Sequence, residues 1–350
     1  MRRIKTILIA ILTSWISLSS QDRSASDFTS YSLEVFPLHN ITQLDVRAKH
    51  AQVDLVNWDK DSISVEASIE IYSDKPNLAK EMMNEIKLKT VGYSNTLLVK
   101  TSLVKDFNRT IPYKIKYTIF FPKKLGLRIE NMHGRVNLEG VHGGVFANIS
   151  YCDIQFGKIS ADTSKSVNHI NLLHCNGIIK SLGSSDIEIN NSTIEIQEAD
   201  HINAITKYSL LKIGRIKDYQ GSSQVDNIKI KAGDFVTINS NNSIINVQNF
   251  TQKALFEGHK GSLMVSHSGG SFRELTINNE ETPTTVKIDS NTSYLLNGEV
   301  FNGKFTHTHK DQLKVVTDLN KIGFSGVVGK DPNTQRKVII FNKNQKVEFN

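Results

Sequence analysis

Two cysteines in 350 residues are too few to build a disulfide scaffold, so this chain has to draw its stability from burial. Helix signals are almost missing too, and a single stretch carries them. After Leu18 no apolar run is long enough to span a bilayer as a helix, and the C-terminal part lacks the series of about ten-residue alternating strands that builds an outer-membrane barrel. The formal net charge is +7, but Lys and Arg are scattered, several of them lie in the first residues, and no aromatic-plus-basic platform stands ready to stack bases. Nucleic acid is therefore not an expected partner. A P-loop, a dinucleotide fingerprint, a Gly-x-Ser-x-Gly elbow and a His-Glu-x-x-His helix are all absent. By motif, the sequence assigns no catalytic, cofactor-binding or metal-binding residue.

What is there is Val, Ile, Thr and Phe, punctuated at short intervals by Asn, Ser and Gly, which predicts many short strands and a mainly β class. Between Leu127 and Val265 one pattern keeps returning, two short apolar-polar-apolar arms joined by a polar corner. Leu127-x-Ile129 leads to Val136-x-Leu138, Ala147-x-Ile149 to Ile154-x-Phe156, Ile187-x-Ile189 to Ile194-x-Ile196, and Ile228-x-Ile230 to Val236-x-Ile238. The second arms recur roughly every 16 to 27 residues, a period that marks stacked repeats rather than one closed globule. A single unit cannot bury both its arms. Stacking buries them against the next unit at roughly 1.5 to 3 kcal/mol per side chain, with backbone bonds between layers about 4.8 Å apart.

The expected organisation is a signal peptide at 1–20, an N-terminal β region at 21–126, regular repeats at 127–265, and irregular coils or capping strands at 266–350. Arg2, Arg3 and Lys5 before the apolar run Ile7 to Leu18, with Ser17 and Ser19 at its end, predict export and cleavage. No cysteine follows that would carry a lipid. Pro76 to Lys89 is the one expected helix, with Asp74 and Asn77 as cap candidates and Leu78, Met82, Ile86 and Lys89 on one face; it is expected to cap the open end of the sheets. Ile115, Tyr117 and Ile119 should face inward from their strand, and Trp58 should cover a corner of the core.

The strand Tyr113-Lys-Ile-Lys-Tyr-Thr-Ile-Phe-Phe-Pro122, followed by Leu127-Arg-Ile-Glu-Asn131 and Gly134-Arg-Val-Asn-Leu138, resembles the adhesin-like solenoids, a group of exported bacterial domains of unknown function. So does the earlier Val53-Asp-Leu-Val-Asn-Trp-Asp-Lys-Asp-Ser-Ile-Ser-Val65. The similarity covers roughly Leu44 to Val265. It departs at the corners, where Tyr151 to Asp153 and Ser192 to Thr193 stand in place of glycine. The resemblance implies a right-handed, single-stranded parallel β-solenoid in the periplasm, at the cell surface or outside the cell, and it brings no catalytic residue.

Cys152 and Cys175 precede second arms of nearby units, so in-register stacking would set their Cα atoms within the ~7 Å a bridge tolerates, whether or not they oxidise. That register requires Gly177 to absorb an extra residue in a left-handed bulge. His133, His174, Cys152 and Cys175 occupy comparable corners, yet their spacing fits no zinc motif. Asn131, Asn148, Asn176, Asn190 and Asn191 serve as turn formers, with stacked amide ladders as the alternative. His307 and His309 read as one exposed strand face. Asp153, Asp186, Glu188, Glu195 and Asp200 are scattered over different arms, whereas glycosidic cleavage needs carboxylates gathered about 5 to 9.5 Å apart. The function expected is a non-enzymatic, exported interaction module whose partner is a cell-surface glycan or an envelope protein. The alternative is a polysaccharide hydrolase or lyase on a parallel β-helix.

Overall fold

The structure is a computed structural model, and it describes residues 26–104, 107, 110–160, 167–269 and 272–349. The expected signal peptide lies outside the described residues. Those residues form 23 strands, one α-helix and one 3₁₀ turn. They fall into two compact units, one within residues 26–143 with 151–153, and one within residues 144–150 with 154–349.

In the first unit the strand Gln43–Asn57 is central, and it pairs in parallel with Thr96–Leu103, Tyr113–Phe121 and Gly126–Val141. Flanking strands are antiparallel: Ser26–Pro37 on Ser62–Ser73, Ser62–Ser73 on Tyr113–Phe121, and Ile86–Tyr93 on Thr96–Leu103. Leu44, Val46, Val53, Leu55, Ile115, Tyr117, Ile119, Leu127, Ile129, Val136 and Leu138 are all buried, as alternation requires when one face of a strand meets the core. Tyr117 is held by a hydroxyl contact of 2.8 Å with Thr101, and burial pushes its pKa up to about 12 against the opposing effect of that contact. Trp58 stacks on Phe120 and donates its indole N–H to the Ser62 carbonyl at 2.7 Å. The helix runs Pro76–Glu85, shorter than expected because the chain turns extended at Ile86. Its start is Lys75 with Pro76 in the first turn and no side-chain cap, and its inward residues are Ala79 and Met82, packed toward Ser62–Ser73, Ser26–Pro37 and Ile86–Tyr93.

In the second unit, Asn168–Leu173, Ser185–Asn190, Thr193–Lys207, Leu210–Gln224, Asn227–Val247 and Phe250–His267 form parallel ladders, with a register shift between Gly233 and Phe235 in the last pairing. Thr193 sits beside Leu210, and Leu210 beside Asn227. Ile187, Ile189, Ile194, Ile196, Ile228, Ile230, Val236 and Ile238 all point inward. The ladder continues past residue 265: Glu274–Glu280, Lys337–Lys343 and Tyr294–Phe301 pair in parallel, and Thr284–Ile288, Val347–Phe349 and Phe305–Thr306 form a second parallel row. Lys321–Val328 and Leu313–Asp318 then add to Tyr294–Phe301 as antiparallel strands.

A single-stranded, right-handed parallel β-solenoid is therefore not the fold. The described residues are 74% strand with one α-helix, but the sheet closes into a five-strand parallel barrel with many outer strands. Two of the antiparallel pairings have a local cause. Tyr93 pairs with Thr96 and Asp318 with Lys321, leaving Ser94-Asn95 and Leu319-Asn320 as loops, and Ser94 and Leu319 take left-handed φ of 50° and 46°. A loop that short returns the chain only as a hairpin, whereas parallel neighbours need a longer crossover.

His307 is also not on an exposed face. It is 6% exposed, packed against the rings of Phe305 and Phe349. Its Nδ1 accepts the His309 backbone N–H at 2.9 Å, so the neutral ring carries its proton on Nε2, which donates to the Tyr294 hydroxyl oxygen at 3.0 Å. Burial, with a smaller contribution from His309 and an opposing one from Asp311, lowers the His307 pKa from 6.5 to about 4. Between those values the unfolded chain binds a proton that the folded chain refuses, so this stabilisation is complete above pH 6.5 and is lost as pH falls toward 4. It amounts to at most ~3 kcal/mol. Melting curves at pH 7 and pH 4.5 should therefore show a smaller acid loss for His307→Gln than for the native chain. Equal losses would show that His307 is not the group responsible.

Candidate interaction surface

The corners of the second unit carry the most regular chemistry in the molecule. His174, Asn191, Tyr208, Val225 and Asn242 all have left-handed φ, between 49° and 58°. The next residue at each corner, Cys175, Ser192, Ser209, Asp226 and Ser243, turns inward and is buried. The backbone N–H of each of the first four is met by the side chain seventeen residues on: Cys175 donates to Ser192 Oγ at 2.9 Å, Ser192 to Ser209 Oγ at 3.2 Å, Ser209 to Asp226 Oδ1 at 2.7 Å, and Asp226 to Ser243 Oγ at 3.1 Å. Buried amides at a bend, where the ladder lapses, need such partners. Asp226 is the most heavily bonded member, since its Oδ2 also accepts from Thr206 Oγ1 at 2.7 Å, Ser223 Oγ at 2.8 Å and the Gln224 N–H at 2.9 Å. Burial first, and then the charge of Asp226, raise the pKa of Tyr219 above that of an ordinary phenol.

Outward, the same corners form a shallow, solvent-open groove lined by Asn191, Tyr208, Leu210, Val225, Asn242 and Ile244. Tyr208 is 57% exposed, Ile244 52% and Val225 43%. A β-branched residue in the left-handed region is strained, at a cost on the order of 1 to 3 kcal/mol. Here the strained residue is apolar and faces solvent. Such a position fits a surface built for contact better than one built for stability.

The first unit has a related column. His50, His133 and Tyr151 have φ of 51°, 63° and 55°, and their rings stack at centroid distances of 4.7 and 4.9 Å, close to the ladder spacing. Cys152 and Cys175 are both buried as thiols. Cys152, in the first unit, takes the Asn131 side-chain N–H at 3.5 Å, while Cys175, in the second, points its thiol at the Ile149 and Leu173 carbonyls at 3.4 Å each. Gly177 is not in the left-handed region. It is needed because a Cβ there would sit 2.0 Å from the Ile154 carbonyl oxygen. Of Asn131, Asn148, Asn176, Asn190 and Asn191 only Asn191 is left-handed, and Asn131 is buried, donating to the Ala51 carbonyl at 3.1 Å.

Among the described residues no group of three or more His, Cys, Asp or Glu is arranged to hold a metal. Of the five carboxylates, Asp153 lies 3.8 Å from Arg135 and Asp200 2.7 Å from Lys217, while Glu195 is a solvated strand residue. Asp186 and Glu188 alone line one depression together. The sequence reading missed the Tyr208 groove and the Asp226 column. The signal that reveals them is the small residue recurring every seventeen positions at 175, 192, 209, 226 and 243.

The fold and this surface define an all-β ladder protein with an open groove along its corners. No protein-family model and no curated protein matches the chain. Among solved structures it is similar to a proposed cell adhesion protein from Clostridium sporogenes, at 8% identity over 92% of this chain and 99% of that one, with a TM-score of 0.19. A proposed adhesin from Bacteroides fragilis aligns at 14% identity over 74% and 97%, TM-score 0.28, and a proposed lipid binding protein from Parabacteroides distasonis at 13% over 89% and 96%, TM-score 0.31. Likenesses this loose carry neither a shared fold nor a shared function.

Proposed function

We propose that the protein is a non-enzymatic, exported interaction module of adhesin-like character, whose groove contacts a cell-surface glycan or an envelope protein. The observation that carries this reading is the groove itself: an exposed Tyr208, an exposed and strained Val225 and an exposed Ile244, set beside a buried column of hydrogen-bonded polar residues. Flat, open surfaces of this kind suit a large partner better than the enclosed pockets that hold small molecules. Export into the periplasm or beyond follows from the leader read in the sequence. Among the described residues no helix is long and apolar enough to cross a membrane.

The chain without residues 1–20 is expected to be retained by a cell-envelope fraction. Tyr208→Ser, at an exposed position, should reduce retention at least about tenfold with no change in melting temperature. Retention that is absent from every fraction, or that ignores the substitution, would overturn the reading. The same preparation incubated with polysaccharides should release no new reducing ends or unsaturated products. Their appearance would favour the hydrolase or lyase alternative, with Asp186 and Glu188 as the residues to examine first.

A further inference from the structure

A second depression in the same unit lies on outward faces of Val145–Ile159, Asn168–Leu173, Ser185–Asn190 and Thr193–Lys207. Ladder pairing sets two rows side by side. Phe146, His169, Asp186 and Asn203 are successive neighbours in one row, and Asn171, Glu188 and Ile205 in the other. The depression measures about 220 Å³. That is below the 300 to 1,000 Å³ of a typical drug-sized pocket and suits a single small ring.

We infer that this depression is a saccharide subsite that takes a neutral pyranose ring. Phe146, 43% exposed, and Ile205, 49% exposed, stand on the first and last of the four strands, three ladder steps apart, and give the depression an apolar wall at each end against which the C–H edge of a sugar can rest. Between those walls stand the planar carboxylates of Asp186 and Glu188 and the amide of Asn171, with the amide of Asn203 beside Ile205, and these accept and donate in the flat geometry that neighbouring hydroxyls present. Glu188 Oε1 accepts from Asn190 Nδ2 at 2.9 Å, whereas the bonds of Asp186 are weak. His169 Nδ1 is 3.4 Å from Asp186 Oδ2 and Asn203 Nδ2 is 3.3 Å from Asp186 Oδ1, both between half-exposed side chains and at the outer edge of hydrogen bonding. Hydroxyl groups can replace such contacts at little cost. The charge balance selects the sugar. Two carboxylates face one imidazole, so a uronate or a phosphorylated sugar meets repulsion where a neutral one does not.

This inference concerns a site separate from the Tyr208 groove, and it is tested separately. The exported chain would be titrated with methyl β-glucoside, methyl β-galactoside, methyl α-mannoside, N-acetylglucosamine and glucuronate, with binding read by NMR. At least one neutral sugar should bind with a Kd in the millimolar range, as expected of a single ring in a shallow site. Phe146→Ala and Asn203→Ala should each weaken it about tenfold or more, glucuronate should bind less well, and Asp186→Asn should narrow that gap. Unchanged melting temperatures confirm that these exposed substitutions leave the fold intact. Tyr208→Ser should leave the sugar titration untouched. The subsite is overturned if no neutral sugar binds at ~50 mM, a concentration well above the millimolar Kd expected, if glucuronate binds as well as the neutral sugars, or if the Phe146 and Asn203 variants bind like the native chain. Envelope retention without sugar binding removes the subsite alone, and sugar binding without retention removes the groove reading alone.

Discussion

Ile194→Asp is expected to open the ladder around residues 177 to 211. Ile194 is 1% exposed and lies between Gly177 and Leu211 in register. A carboxylate there has no cation to meet, so it either stays charged in an apolar layer or takes up a proton far above its usual pKa. Either route costs several kcal/mol, on the scale of the whole stability of an ordinary domain. Ile194→Val removes one methyl group and should cost only about 0.5 to 1.5 kcal/mol. Hydrogen exchange is the direct measurement, because layered structures open locally before they unfold globally. Amides in residues 187–213 should lose protection in the aspartate variant and keep it in the valine variant. Native-like protection in both would mean that this layer is not the core.

Asp226→Ala should be nearly as damaging, although it replaces a charged residue with a small apolar one. Its carboxylate accepts from the hydroxyls of Thr206 and Ser223 and from the amides of Ser209 and Gln224, all in a buried corner. Alanine takes the acceptor from Thr206, Ser209 and Gln224, while the Ser223 hydroxyl can turn to Ser243 Oγ at 2.9 Å. At about 1 to 3 kcal/mol for an orphaned group, and with partial relaxation, the loss is on the order of 3 to 5 kcal/mol. Serine should be milder. At positions 192, 209 and 243 a serine hydroxyl already accepts the amide of the preceding corner while donating to a carbonyl two residues back, at 2.7, 2.7 and 3.0 Å. Chemical denaturation of Asp226→Ser and Asp226→Ala ranks them. If alanine equals serine, the hydrogen bonds of this column do not set its stability.

The inward arms were legible because burial on one face imposes alternation, and every apolar residue of the quoted pairs from Leu127 to Ile238 is indeed inside. The architecture was less so. Ser94-Asn95 and Leu319-Asn320 turn hairpins without glycine, so the cue that separates an antiparallel return from a parallel crossover was missing. His307 alternates with Thr306 and Thr308 like a surface strand, and only contacts with Tyr294 and Phe349, distant in sequence, put it inside. The depression beside Phe146 was equally hidden. Asp186 and Glu188 were read among carboxylates scattered over different arms, and the strand register that sets His169 and Asn203 beside Asp186 is not a local property of the chain. The Asp226 column was legible in principle, since its period is constant, but it is written in small polar residues while attention to apolar arms looks past them.

The constant step of seventeen residues along the corner column also governs which changes in chain length can be inherited. Losing or duplicating one whole step between residues 175 and 243 returns every side chain to the side it started from and joins like corner to like corner. Losing a single residue reverses inside and outside for the arm that follows. Variation in length should therefore come in whole steps, each adding or removing one exposed corner residue. The groove can be lengthened or shortened as a ruler is, by graduations, while its inner column stays continuous.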